Sequence, residues 1–280
     1  MSGMHRSPYQ GFSVEFTDYR QYSPGDDLRY LDWKLFARAD RHYIKRFEDE
    51  TNLRSYLLVD LSRSMQFGSK GYKKTEYDNT VAATLAYFLS LQRDGVGLLT
   101  FDEKIISYLP ARFRPGHLRR LMIALEKTSE GKSTNVAEPL EEVARTVSKR
   151  GMVILISDLL TPIEQFTKSL GYLRARGHDV VILRVLDPKD VNLDFDSASM
   201  FRDLESGKEI YVDPETIGDD YRKRFQEHRD LLRENCDQLG VDLFEMTTDE
   251  PLETAIFNVI QTRARQGRQV NRATQAGGAK

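Results

Sequence analysis

Tyr56-Leu57-Leu58-Val59-Asp60-Leu61-Ser62-Arg63-Ser64 is the stretch whose reading decides the fold. Its short apolar run suits a strand covered on both faces, as strands of parallel sheets are. The run stops at Asp60, and Asp60, Ser62 and Ser64 then place three side-chain oxygens at alternate positions. Those oxygens fall on a loop at the carboxyl end of the strand, the edge at which α/β folds bind ligands. Standing alone, Asp-x-Ser-x-Ser also reads as an ordinary capping loop, so the surrounding pattern has to discriminate.

Outward from this strand, apolar runs alternate with segments of helical period. The runs are Val96–Phe101, Met152–Ile156, Val180–Val185 and Val241–Phe244. A long amphipathic helix passes through Val81, Leu85, Phe88 and Leu89, and Lys104–Leu109 forms a short extra strand after a tight turn at Asp102-Glu103. Further helices are expected over His117–Lys127, Ala137–Lys149, Ile163–Ala175, Asp219–Gln238 and Pro251–Thr262. Gly151, Gly177 and Gly240 are read as left-handed helix ends that turn the chain into the next strand. Ala198–Val212 reads as an inserted hairpin. This succession predicts an α/β fold over residues 54–262, a doubly wound, mostly parallel, Rossmann-like sheet.

Residues 1–53 are expected to form a small N-terminal subdomain rich in charges and aromatics. Tyr22–Asp27 marks a turn, Leu28, Leu31, Leu35 and Phe36 share a helical face, and Tyr43–Phe47 is a strand. Trp33 is assigned to its core. Asp26, Asp27, Arg29, Asp32, Arg38 and Glu50 form either a partner-binding face or an internal ion-pair network. Residues 263–280 are expected to be a disordered basic tail.

Two further loops fall in register with the first. Gly131-Lys132-Ser133-Thr134-Asn135 precedes a helix, and the strand ending at Ile156 runs into Ser157-Asp158-Leu159. In a doubly wound sheet these loops converge on one edge, where Asp60, Ser62, Ser64, Thr134 and Asp158 supply five hard oxygen donors suited to Mg²⁺ or Mn²⁺. Three of these donors are neutral hydroxyls. A cation held by them and two Asp groups stays electrophilic and can accept a carboxylate from another protein.

With all five positions filled, residues 54 to about 262 resemble the von Willebrand factor A fold, whose adhesion site is Asp-x-Ser-x-Ser, then a Thr, then an Asp on successive loops. The N-terminal stretches Gly11–Phe16, Arg20–Trp33, Ala37-Arg38 and Lys45–Glu50 look like the bacterial family known as domain of unknown function fifty-eight. That resemblance implies action beside a MoxR-type AAA+ ATPase in maturing or activating other proteins. The partner it implies is that ATPase, or a client protein that donates Asp or Glu to the metal.

Composition narrows the alternatives. Lys plus Arg is 41 and Asp plus Glu 43, a formal net charge of −2, which gives the molecule no overall attraction to nucleic acid or an anionic membrane. The one cysteine, Cys236, permits neither an internal disulfide nor a cysteine metal cluster. No apolar run approaches the roughly 18 residues of a membrane span, and no signal-type segment opens the chain, so a cytoplasmic location is expected. Gly131-Lys132-Ser133 imitates the end of a phosphate-binding loop, but Glu126 stands where its first glycine belongs and a helix precedes it. A metal-dependent phosphoester hydrolase of the haloacid-dehalogenase type requires a second Asp where Ser62 stands. The chain is therefore expected not to be an enzyme, with that hydrolase and a structural scaffold with a vestigial metal site as the rival readings.

Overall fold

A computed structural model describes residues 14–23, 31–39, 41–49, 53–127, 136–147, 150–195, 197–202 and 207–263. The chain divides into two units, Met1–Leu53 and Arg54–Lys280.

In the first unit, β1 (Val14–Gln21) pairs antiparallel with β2 (Tyr43–Asp49), with a register shift between Phe16 and Asp18. Between them lies α1 (Trp33–Ala39), where Asp32 Oδ1 accepts a hydrogen bond from Leu35 N at 3.0 Å, the usual device for satisfying a free N–H at a helix start. The helix is shorter than the sequence pattern suggests: Leu31 is engaged in a bridge to Ile44, and Leu28 lies outside the described residues. Trp33 is 62% exposed, which corrects its assignment to the core. It sits on the first turn and touches Phe36 edge-on at 6.3 Å, leaving most of the indole uncovered.

The second unit is built on a six-stranded sheet. Its strands are β3 (Arg54–Asp60), β4 (Gly95–Phe101), β5 (Ile105–Arg112), β6 (Met152–Ser157), β7 (Asp179–Leu186) and β10 (Asp242–Thr247). Their order is β10-β7-β6-β3-β4-β5, all parallel except β5, which runs antiparallel to β4. A two-residue period assigns the core. Leu57, Val59, Ile154, Ile156, Val181 and Leu183 face one side, and Tyr56, Leu58, Val153, Leu155, Val180 and Ile182 face the other. The first side is covered by α2 (Lys74–Leu91), α3 (His117–Leu125) and α8 (252–263); the second by α4 (Ala137–Thr146), α5 (Ile163–Ala175) and α7 (Pro214–Leu239). Burial on both faces is why these strands read as unbroken apolar runs.

Several boundaries moved. Helix α7 begins five residues before the expected Asp219, because Asp213 caps Glu215 N at 3.1 Å and Pro214 occupies the first helical position. Gly240 closes it at φ 62°, as expected. Gly151 does not take a positive φ; a Cβ there would lie 2.3 Å from the Arg54 carbonyl oxygen, so close strand approach requires the glycine. A short helix, α6 (Pro188–Asn192), follows β7, and the hairpin β8 (Ser199–Arg202) and β9 (Glu209–Val212) precedes α7. Arg263, assigned to the tail, is instead helical and pairs with Asp179 and, at 3.2 Å, with Asp242. Among the described residues, no helix is long and apolar enough to cross a membrane.

Candidate metal centre

Strand order locates the site. From β3 the chain first adds β4 on one side and later β6, β7 and β10 on the other, so the order reverses between β3 and β6. A crevice opens at the carboxyl ends of two strands whose connections depart in opposite directions. Asp60 is the last residue of β3, and Asp158 follows the last residue of β6.

The first loop folds on its own side chains. Asp60 Oδ1 accepts from Ser62 N at 2.9 Å, and a turn of 3-10 helix, Arg63–Gln66, follows. That turn brings Ser62 Oγ within 3.2 Å of Ser64 Oγ. Met65 is fully buried beneath it, and Thr75 Oγ1 donates to the Met65 carbonyl at 2.7 Å, tying the turn to α2. Further along, Ser69 donates from its N–H and its hydroxyl to the Asp187 carboxylate at 2.7 and 2.5 Å, joining this loop to the one after β7.

The third loop meets the first directly. Ser157 Oγ donates to Asp60 Oδ2 at 2.6 Å and accepts from Leu159 N at 3.1 Å. Leu159 is buried at φ 50°, a left-handed conformation uncommon for a bulky side chain. It is held by that Ser157 bond and by Arg184, whose Nε donates to the Asp158 carbonyl at 2.9 Å. Asp158 Oδ1 accepts from Leu160 N at 3.2 Å, and Oδ2 accepts from Lys74 Nζ at 2.8 Å. Lys74 also reaches Asp190 Oδ2 at 2.7 Å.

Of the five expected donors, Asp60, Ser62, Ser64 and Asp158 thus lie on the two loops flanking the reversal point, while Thr134 is outside the described residues. Sequence reasoning missed Ser157, Lys74, Asp78 and Asp190. Lys74 and Asp78 are four residues apart and so share a helical face, which was the available signal: two charged residues on the apolar stripe of α2.

Electrostatics at this edge are unbalanced. Asp60, Asp78, Asp158 and Lys74 are each no more than 1% exposed. Burial, followed by the charge of Asp158, pushes the Asp60 carboxyl up to about 7, against the pull of its Ser157 and Ser62 hydrogen bonds. Asp78 is driven well above the usual carboxylate range by burial and then by Asp60 and Asp158, and neither of its oxygens has a hydrogen-bond partner. Burial works against the Lys74 ammonium, but the charges of Asp158 and Asp190 outweigh it and raise its pKa. Among these buried groups, three carboxyls lie with one ammonium, and the fully buried Arg184 adds its charge beside Asp158. A divalent cation is the complement such a set lacks, and the residues present fit one. Among the described residues, no three His, Cys, Asp or Glu side chains are grouped to hold a metal by themselves. A cation at this edge would draw part of its shell from the loop hydroxyls.

The fold is of the von Willebrand factor A-like α/β class. The chain belongs to the family described as protein of unknown function DUF58, whose model matches residues 18–233. An uncharacterized protein of Mycobacterium tuberculosis is 28% identical over 270 residues, covering 95% of this chain and 84% of that protein. Among solved structures, the conserved hypothetical protein BatB from Bacteroides thetaiotaomicron aligns with TM-score 0.51 at 14% identity, over 79% of this chain and 99% of its own. An aerotolerance-related membrane protein from Bacteroides fragilis aligns with TM-score 0.50 at 15% identity, over 76% of this chain and 99% of its own. At these identities the likeness concerns the fold.

Proposed function

We propose that Asp60, Ser62, Ser64, Thr134 and Asp158 hold one Mg²⁺ or Mn²⁺, and that the bound cation grips a carboxylate presented by a partner protein. The observation that carries this reading is the concentration of buried carboxyl groups at the strand-order reversal, where Asp60, Asp78 and Asp158 lie with Lys74 and burial and mutual repulsion raise the pKa of Asp60 and Asp78. Fully buried carboxylates without compensation are costly, and a divalent ion removes that cost. Lys74 offsets one of the three charges and the hydroxyl donors add none, so the cation keeps enough electrophilicity to take an Asp or Glu from outside.

A protein-interaction module of this kind fits a partner of the MoxR-type AAA+ ATPase class, or a client of that ATPase, as the family resemblance implies. It is not a hydrolase on this reading: Ser62 stands where a phosphotransferase of similar topology needs a general acid. Capture of a MoxR-type ATPase or its client on immobilised protein tests it. Capture is expected to disappear in chelator, return with Mg²⁺, and be absent in the Asp60→Ala, Ser62→Ala double variant. Equal capture in chelator and in Mg²⁺ contradicts the mechanism.

A further inference from the structure

Asp78 belongs to none of the three loops. It lies one turn beyond Lys74 on the buried face of α2, and Lys74 touches Asp158, so the same face carries Asp78 towards the space behind the β3 and β6 loops. It is fully buried, and among the described residues neither carboxylate oxygen has a hydrogen-bond partner. The other carboxylates of the cluster are engaged: Asp60 by Ser62 and Ser157, Asp158 by Leu160 and Lys74, Asp190 by Lys74 and by Asp187 N at 3.0 Å. A buried acid with no partner is a net cost to the fold. Such a cost is retained where the group serves a ligand.

We infer that Asp78 is a further part of the cation site, an outer carboxylate that acts on the bound ion from the α2 side without being one of its direct donors. This rests on the metal-site reading above and extends it. Mg²⁺ dehydrates reluctantly and keeps several waters, whose hydrogens need acceptors beyond the ring of direct donors. The two buried Asp78 oxygens, without a protein partner among the described residues, meet that need. The charge of Asp78 also restores what Lys74 cancels, leaving the site with a net attraction for a divalent ion. The pair on α2 thus sets the field: Lys74 reduces it and Asp78 reinforces it.

The test is calorimetric titration of Mg²⁺ into the full chain, wild type against Asp78→Asn and Asp60→Ala, with the thermal midpoint of each measured in chelator. Asp78→Asn is nearly isosteric, removes the charge and turns one acceptor oxygen into an N–H donor. The expected result is a loss of about tenfold in Mg²⁺ affinity, typical of groups that support metal ligands from outside, together with a chelator midpoint equal to or above wild type. A group that merely stabilised the fold would lower that midpoint and leave the affinity alone. Unchanged affinity in Asp78→Asn, with binding still lost in Asp60→Ala, overturns the role of Asp78 and leaves the metal site standing. Absence of binding in the wild type overturns both. If Asp78→Asn does not fold, Asp78→Ser is measured instead, and failure of both to fold in chelator assigns Asp78 to the fold and contradicts the inference.

Discussion

Two buried charged clusters lie within a few residues of each other in this domain, and they are built on opposite rules. Around Arg184 three guanidiniums share one carboxylate, and each of these groups has a polar partner. The Arg184 guanidinium donates to the Asp158 carbonyl, pairs with Glu245 at 3.2 Å and lies over the Phe225 ring at 5.3 Å. Glu245 is met again by Arg229 at 2.5 Å and Arg233 at 3.2 Å, both of which reach solvent. Around Asp60 one group is left over: Asp60 and Asp158 are hydrogen-bonded, whereas Asp78 has no hydrogen-bond partner among the described residues. A network that serves only the fold is completed by the fold. One that is left incomplete in a buried crevice points to something arriving from outside.

Breaking each cluster at its cation gives the largest expected effects. Lys74→Met leaves Asp158 and Asp190 without their ammonium and is expected to cost about 3–5 kcal/mol in chelator, read from denaturant midpoints. Mg²⁺ should return more stability to this variant than to wild type, because the ion replaces a lost positive charge. Arg184→Met should cost less, about 2 kcal/mol, since Glu245 keeps Arg229 and Arg233, and Mg²⁺ should not restore it preferentially. If the two variants respond alike to Mg²⁺, the clusters do not differ in kind.

A smaller effect sharpens the paired side of the comparison. His228 Nδ1 lies 3.5 Å from Arg184 Nη2, and burial, with Arg184 adding to it, holds its pKa below 6.5. The unfolded chain therefore takes up a proton at pH values where the folded chain resists it. This contribution to stability is complete above pH 6.5 and is lost as the pH falls below it. His178, also lowered by burial, adds to the same slope. Unfolding midpoints followed downward from pH 7 should fall less in His228→Gln than in wild type; an identical slope removes His228 from the account.

Much of the fold was legible in the sequence because both sheet faces are covered. Two-sided burial forces unbroken apolar runs, and the runs at Leu57, Leu98, Ile154 and Ile182 are strands. The loop oxygens were legible because the oxygen-rich residues follow those runs directly, at the edge where strands end. What escaped was tertiary. The one hint in Lys74-Thr75-Glu76-Tyr77-Asp78 is that its charged ends continue the apolar stripe of α2, and it is weak, since a surface helix carries the same residue types at the same spacing. Trp33 escaped for the converse reason: an aromatic on a short helix has no period long enough to assign its face. The start of α7 was readable, in the Asp213-Pro214 cap, but the apolar period alone places it later.

The most direct test of the central claim is the thermal unfolding of the full chain with and without Mg²⁺, wild type beside the Asp60→Ala, Ser62→Ala double variant. A ligand held only by the folded state stabilises it by about 2.7 kcal/mol at a hundred times its dissociation constant. The account predicts a midpoint that climbs with Mg²⁺ in the wild type and stays flat in the double variant, which should still unfold cooperatively in chelator. A wild-type midpoint indifferent to Mg²⁺ and Mn²⁺, or an equal rise in both proteins, would contradict it.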